Sequence, residues 1–199
     1  MRKTIVEALD GASLAIARLI ADEPAQIAIA NAGQLLVTAF QSRNRAFSCG
    51  NGGSMCDAMH FAEELSGRFR RDRPALAAVA ISDPSHITCT GNDYGFDQIF
   101  SRYIEAHGRP GDVLLAISTS GESKNVVTAA SRGRELGLKV IALTGKSGST
   151  LARTADVEIC TPGGAYADRV QELHIKVIHI LIELVERAMF PANYAHEPA

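Results

Sequence analysis

Apolar residues recur at helical spacing from the start of the chain. Ile5, Ala8, Leu14, Ile16, Leu19 and Ile20 follow that spacing over residues 3–20, and Ile27, Ile29, Ala32, Leu35, Leu36 and Ala39 follow it over 24–42. Asp22–Glu23–Pro24 separates the two stretches. Proline suits a helix start, because its missing N–H would have no helical partner there anyway. Residues 1–42 therefore predict a helical pair. The pattern then changes. Short apolar runs at 46–49, 77–81, 113–117, 139–143 and 157–160 carry few charges, as strands covered on both faces do. Helical segments fall between them, at about 53–67, 95–107, 123–136 and 148–154. Residues 166–190 form a long amphipathic helix through Val170, Leu173, Val177, Ile178, Ile180, Leu181, Leu184 and Val185. Alternating strands and helices predict an α/β fold with a parallel sheet. The expected layout is a single unit: the helical pair, an α/β core over 43–190, and a loose end over 191–199.

Composition adds limits. The 199 residues are 46% hydrophobic and 21% charged, with a formal net charge of −2, which is ordinary globular usage. The near balance of charge gives no basic surface for nucleic acid. The cationic run Arg68–Phe69–Arg70–Arg71–Asp72–Arg73 reads as a solvated helix end facing the negative pole of the helix dipole, with a phosphate or substrate rim as the alternative. No stretch has the uninterrupted apolar length of a membrane span, and charges at Glu7, Asp10 and Arg18 break any secretory leader. Cys49, Cys56, Cys89 and Cys160 lack CxxC spacing, so they read as reduced thiols of a cytoplasmic protein, with Cys49 and Cys160 expected as buried packing.

Three turns at strand ends carry candidate chemistry. The first is Gly50–Asn51–Gly52–Gly53–Ser54, where glycine lets the backbone approach a ligand and the helix behind supplies free amides. The second is "STSGES", residues 118–123. A helix cap needs one hydroxyl, but Ser118, Thr119, Ser120 and Ser123 supply four, enough for a phosphate cradle without a metal. The third, "LTGKSGST" over 143–150, lacks the spacing of a nucleotide-binding P-loop and reads as a capped turn into a short helix, which argues against nucleotide hydrolysis.

The segments "SCGNGGSMCDAMHFAEELSGRFR", "AISDPSHITCTGNDYGF", "GDVLLAISTSGES", "VIALTG" and "ADRVQELHIKVIHILIELVE" together resemble the bacterial phosphoheptose isomerases of the sugar isomerase (SIS) domain family, over about residues 40–190. The resemblance implies a five-stranded parallel sheet sandwiched by helices, flavodoxin-like, in a homotetramer with active sites between subunits. It implies interconversion of sedoheptulose 7-phosphate and D-glycero-D-manno-heptose 7-phosphate, the first step toward ADP-heptose for the lipopolysaccharide core. It also implies one zinc per subunit. Asn51, Gly52, Gly53, Asn92 and Asp93 would touch the sugar, and Ser118, Thr119, Ser120 and Ser123 would hold its phosphate.

Moving a proton between C1 and C2 through an enediol needs a base, a proton donor and stabilisation of the developing oxyanion. His60 and Glu64 are spaced i,i+4 and share a helix face; Gln171 and His179 lie about two turns apart on the last helix. Under the resemblance, His60, Glu64, Gln171 and His179 are the metal ligands. Glu64 is then the proton-abstracting base and His179 the opposing acid/base, with Gln171 also orienting substrate. Taken singly, His60 reads as a hydrogen-bonded structural histidine, Glu64 as a solvated helix face, and His174 and His179 as satisfied core histidines; only their joint occurrence within the matching motifs overturns this. Asp57 reads as a first-turn charge, and Asp168 and Arg169 as either a site rim or an intersubunit ion pair. Glu63, His86, His107 and His196 carry no assignment. The competing function is a non-catalytic SIS-domain protein that senses a sugar phosphate or binds the replication initiator. Glu64, four residues after His60, with Gln171 and His179, favours the enzyme.

Overall fold

The computed structural model describes residues 1–164 and 166–195. Two helices, α1 (Arg2–Ala21) and α2 (Glu23–Gln41), lead into β1 (Ala46–Cys49), α3 (Gly53–Ser66), β2 (Ala78–Ala80), α4 (Pro84–Tyr94) and α5 (Ser101–His107). Then follow β3 (Val113–Ser118), α6 (Lys124–Glu135), β4 (Lys139–Thr144), α7 (Thr150–Thr154), β5 (Val157–Cys160) and α8 (Ala167–Met189). Single 3₁₀ turns occupy Phe96–Gln98 and Pro191–Tyr194.

The strands form one parallel sheet in the order β2-β1-β3-β4-β5. Alternation along β3 divides the core. Val113, Leu115 and Ile117 pack with α2, α3 and α8 on one face, while Leu114 and Ala116 pack with α5, α6 and α7 on the other. Both faces are covered, so β3 and β4 are buried almost throughout. The chain leaves β1 for α3 on the first face and leaves β3 for α6 on the second. Neighbouring strands whose helices depart to opposite faces leave a crevice at their carboxyl ends, where α/β folds place ligands.

The predicted strands and the longer helices appear within a few residues of their expected bounds, but three features differ. Residues 84–94, not predicted as helix, form α4. It starts with Asp83 Oδ1 accepting from His86 N (2.8 Å) and with Pro84 at the first turn. Its apolar spacing is weak because Thr90 alone of its residues is buried. The helix expected over 95–107 is interrupted at its start by Gly95, at φ +89°, and begins as α5 at Ser101. Residues 191–195, expected to be loose, fold back instead: Tyr194 is buried and its hydroxyl donates to Glu186 Oε2 at 2.7 Å. Residues 196–199, with His196, lie outside the described residues.

The cationic run is also not a simple solvated end. Arg73 is 8% exposed and donates through Nε to the fully buried Glu186 (2.8 Å). Its other nitrogens donate to the carbonyls of Glu64, Leu65 and Gly67, where α3 ends. The cation does meet the negative helix end, but inside the protein. All four cysteines are free; Cys49 is buried, and Cys160 only half-buried.

Candidate functional site

Two of the three strand-end turns border the crevice. After β1 the chain bends through Gly50 and Gly52. A Cβ on Gly50 would lie 2.6 Å from the Ser54 carbonyl, and Gly52 holds φ +55°. Helix α3 starts from Gly52 with no side-chain cap, and the amides of Ser54 and Met55 donate instead to the carbonyls of Asn51 and Gly52, both at 3.0 Å. After β3, the Ser118 hydroxyl donates to Ser123 Oγ (3.0 Å) and accepts from Gly121 N (3.1 Å), while Ser120 Oγ accepts from Glu122 N (3.2 Å). Ser123 is the N-cap residue of α6, yet its side chain caps nothing. The hydroxyls therefore form a cluster around an open helix start, the arrangement that suits a phosphate. Glu122 locks the loop from outside by accepting from Thr150 N and Thr150 Oγ1, and those bonds hold its carboxyl below the usual range.

The third turn behaves as a capped turn, with Ser149 Oγ accepting from Ala152 N at 3.2 Å. It also contributes a residue not singled out from the sequence. Lys146 lines a cavity of about 190 Å³ with Thr119, Ser120, Gly145 and the first turn of α8, and is the one cation among those described lining residues.

Helices α3 and α8 lie side by side and run the same way. Gly53 meets Gln171, His60 meets His179, and beyond the end of α3 Arg70 and Arg73 meet Glu183 and Glu186. His60 Nε2 and His179 Nε2 lie 2.9 Å apart, and His60 Nε2 lies 3.4 Å from Glu64 Oε1. On the other edge of the ring, His60 Nδ1 lies 3.5 Å from Glu63 Oε1. Phe69 packs against His179 with ring centroids 5.7 Å apart. Burial, and the neighbouring Glu63 carboxylate after it, push the Glu64 carboxyl above its ordinary range. Burial, then the facing His60, push His179 down, so its imidazole favours the neutral, ligand-competent form.

Of the expected ligands, the structure thus brings together His60, Glu64 and His179, and adds Glu63 at the margin. Gln171 does not join them within one chain. Its amide packs on Gly53, where a Cβ would stand 2.6 Å from Gln171 Oε1. Eight residues of helical rise, about 12 Å, separate its Cα from that of His179. Gln171 therefore sits at the glycine turn. Asn92 and Asp93 are exposed at the end of α4, where Asn92 Nδ2 donates to Asp93 Oδ1 (2.7 Å) and Cys89 Sγ contacts Asp93 Oδ2 (3.6 Å). Asp168 and Arg169 sit in the first turn of α8, where Arg169 pairs with Glu172 Oε1 at 2.6 Å.

One donor atom each from His60, Glu63 and Glu64 lie within 4.8 Å of one another, and His179 adjoins this cluster through His60; imidazole and carboxylate donors of this kind suit a zinc-type ion. Bonds of about 2.0–2.1 Å in tetrahedral geometry put neighbouring donor atoms roughly 3.3–3.4 Å apart. The His60–Glu64 separation matches that edge, and the His60–His179 pair needs to part by only a few tenths of an ångström. Glu63, on the far nitrogen of His60, is placed to fix the tautomer that leaves Nε2 free.

Two buried residues depart from their expected readings. Asp57 is 9% exposed and not a dipole-complementing surface charge; its Oδ2 has no partner, and burial raises its pKa to about 6. His174 is fully buried, and neither ring nitrogen makes a hydrogen bond, so it is a core histidine but not a satisfied one. Burial lowers its pKa to about 4, an effect that the nearby Thr144 backbone offsets only in part.

Comparison with known proteins bears on the family and the fold. The model of the SIS domain family matches residues 10–145. The phosphoheptose isomerase of Escherichia coli is 58% identical over 181 residues, which is 91% of this chain and 94% of that protein. Among solved structures, a phosphoheptose isomerase from Francisella tularensis superposes with a TM-score of 0.87 at 34% identity, covering 93% of this chain and 97% of that one. The phosphoheptose isomerase from Neisseria gonorrhoeae gives 0.79 at 38% identity, covering 93% and 96%.

Proposed function

The chain belongs to the SIS domain family and groups with its phosphoheptose isomerases, and from that premise we propose that it interconverts sedoheptulose 7-phosphate and D-glycero-D-manno-heptose 7-phosphate. It is an aldose–ketose isomerase of heptose phosphates. The product would feed ADP-heptose synthesis for the lipopolysaccharide core. One observation carries the reading: a carboxylate of raised basicity, Glu64, lies beside His60 on the helix that starts at the glycine turn, and His60 meets His179 of α8. A sugar-phosphate sensor needs the cradle and the turn but has no use for that base. The same observation speaks against binding of a replication initiator.

In the proposed mechanism the hydroxyls of Ser118, Thr119, Ser120 and Ser123, with the open amides of α6, hold the phosphate. Asn51, Gly52, Gly53 and Gln171 border the sugar chain, and Asn92 and Asp93 are its further contacts. Glu64 takes the proton from one of the two reacting carbons, and His179 manages the proton on the opposite carbon or oxygen. His60, Glu64 and His179 would hold one zinc per chain, with Gln171 as a further ligand only if its amide leaves Gly53. A bound zinc supplies Lewis-acid stabilisation of the developing oxyanion.

A homotetramer with sites between subunits completes the proposal. Its support is α1, where Ile5, Leu9 and Ile20 are 59%, 66% and 69% exposed and Leu19 alone is buried. An apolar surface of that kind calls for a partner, and a second copy of the chain is the proposed one. No helix among the described residues is long and apolar enough to cross a membrane. A cytoplasmic location is proposed on the free cysteines and on the substrate class. The test is isomerisation of sedoheptulose 7-phosphate, followed by solvent-deuterium incorporation, with and without added zinc. Absence of both turnover and exchange in each condition would sink the enzyme reading.

A further inference from the structure

Asn51 and Asn125 are joined by a reciprocal pair of amide hydrogen bonds. Asn51 Nδ2 donates to Asn125 Oδ1 (2.9 Å), and Asn125 Nδ2 donates to Asn51 Oδ1 (2.8 Å). Asn125 Oδ1 also accepts from Val126 N (3.0 Å), which fixes which end of that amide is oxygen. Asn125 is 2% exposed and lies in the first turn of α6, behind the phosphate loop. Asn51 is half-buried and lies in the glycine turn after β1. The pair therefore bridges 74 residues of sequence and ties together the carboxyl ends of two neighbouring strands, β1 and β3.

We infer that Asn125 is a positioning residue which, through Asn51, fixes the glycine turn at a set distance from the phosphate cradle and so selects sugar phosphates by chain length. The inference rests on the isomerase reading.

A sugar phosphate anchored by its phosphate must bring its far end to a fixed place, and the clamp is the direct side-chain tie between the two ends of that span. Asn51 is polar, short and next to glycines, so on its own it would sample several rotamers. With one N–H and one lone pair held by Asn125, its amide plane is set. The remaining N–H and the remaining lone pair of Asn51 then face the half-open side as a fixed donor and acceptor for a sugar hydroxyl. Burial of Asn125 makes the tie selective in its own way. A lost partner would strand a buried amide, so the pair resists opening to admit a misfit. Small displacements matter because a shift of about 1 Å in a reacting geometry can cost two orders of magnitude in rate. A shorter ketose phosphate would bind by its phosphate yet present the wrong carbon.

The test compares wild-type protein with N51A, N125A and the double variant. Substrates are sedoheptulose 7-phosphate and the six- and five-carbon 2-ketose phosphates, and inorganic phosphate serves as a probe of the cradle alone. Wild type is expected to prefer the seven-carbon substrate in kcat/KM, and N125A to lose roughly tenfold or more of that preference. Inorganic phosphate should inhibit all four proteins within about twofold of one another. Because Asn125 acts through Asn51, adding N125A to N51A should change kcat/KM little further. Unchanged selectivity in N125A would overturn the inference, as would losses that simply add. If N125A does not fold, N125D serves instead, since it keeps the acceptor for Asn51 Nδ2 and Val126 N but loses the donor. It too should lose chain-length selectivity, and retention would overturn the inference. Wild type that turns over no sugar phosphate would remove the isomerase reading itself, an outcome distinct from wild-type turnover with unaltered N125A selectivity.

Discussion

His60 and His179 meet nitrogen to nitrogen at 2.9 Å, across two parallel helices and 119 residues of sequence. Two imidazole Nε2 atoms at that range share a proton or a cation; two lone pairs alone would repel. Glu64 Oε1, 3.4 Å from the first nitrogen, puts an anionic donor beside the pair. Protein purified from zinc-replete cells is therefore expected to carry close to one zinc per chain by elemental analysis. H60A and H179A should each lower the retained metal by an order of magnitude or more. Wild-type zinc content in both variants would remove the imidazoles from that role. Chelation should abolish turnover of the wild type, and added zinc should restore it.

His174 predicts a pH dependence of stability that has nothing to do with the site. Its folded pKa of about 4 lies below its ordinary value of 6.5. Between those values the unfolded chain binds a proton that the folded chain refuses. Stability is then fully present above the unfolded value and is lost as pH falls through the window toward the folded one. Asp57 works in the opposite direction, since its carboxyl is raised to about 6 and its proton favours the folded state below that. Comparing wild type with His174→Leu cancels the Asp57 contribution. From pH 7 to pH 4.5, the wild type should lose about 2–3 kcal/mol more unfolding free energy than the variant, measured by urea titration. Equal losses would show that His174 does not stay neutral when folded.

Much of the fold was legible because the strands are buried on both faces and stop abruptly. Runs such as 113–117 and 139–143 contain no competing helical period, and β3 and β4 extend just one residue beyond them. Helix α4 was not legible by periodicity, since it buries a single residue; its sole local signal was Asp83–Pro84, a cap followed by proline. The hydroxyl cluster and the His60–Glu64 pair are local in sequence, so spacing alone placed each on one turn or one helix face. The remainder is long-range. No local pattern reveals that Asn125 reaches Asn51, or that Arg73 turns inward to Glu186 instead of outward to water. Nor does spacing show that Gln171 stops at Gly53: two turns on one helix allowed convergence with His179, and the parallel course of α3 gave Gln171 a nearer partner.

Tyr194 ties the folded-back end of the chain into the core. Glu186 is fully buried, with Arg73 on one oxygen and the Tyr194 hydroxyl on the other. Tyr194→Phe keeps the ring, and the Arg187 guanidinium 4.3 Å from its centroid, but leaves Glu186 Oε2 without that donor. The variant should lose about 1–3 kcal/mol of stability in chemical denaturation. An unchanged value would mean that water replaces the hydroxyl and that the 3₁₀ turn is dispensable.

The exposed face of α1 makes the assembly testable. Leu9→Asp and Ile20→Asp place charges where apolar side chains are 66% and 69% exposed, so neither should harm the folded chain. Light scattering should give a tetramer mass for the wild type and a smaller one for the variants. If the sites form between subunits, turnover should fall with the tetramer fraction. Full turnover by a dissociated variant would place every needed residue within one chain.

The last prediction separates two adjacent carboxylates. Glu63 and Glu64 both approach His60, but from opposite ring edges: Glu63 lies at Nδ1 with 63% of its side chain exposed, Glu64 at Nε2 with 17% exposed. A base that removes a carbon-bound proton gains from partial desolvation, which Glu64 has and Glu63 lacks. Burial raises the basicity of Glu64 and the adjacent Glu63 charge adds to it, while His60 and, after it, the Arg73 guanidinium bonded to the Glu64 carbonyl work the other way. Glu64→Gln should therefore lower kcat by about 10²–10⁴ and change KM only a few-fold, because the amide keeps the shape and an oxygen but not the proton affinity. Glu63→Gln should cost less than about tenfold, and that cost should appear in zinc retention, since its role is to hold the ring of His60. Solvent-deuterium incorporation into the recovered sugar phosphate distinguishes the two variants directly. Exchange that persists in Glu64→Gln but vanishes in Glu63→Gln would reverse the assignment, making the exposed carboxylate the base and the half-buried one a ligand alone.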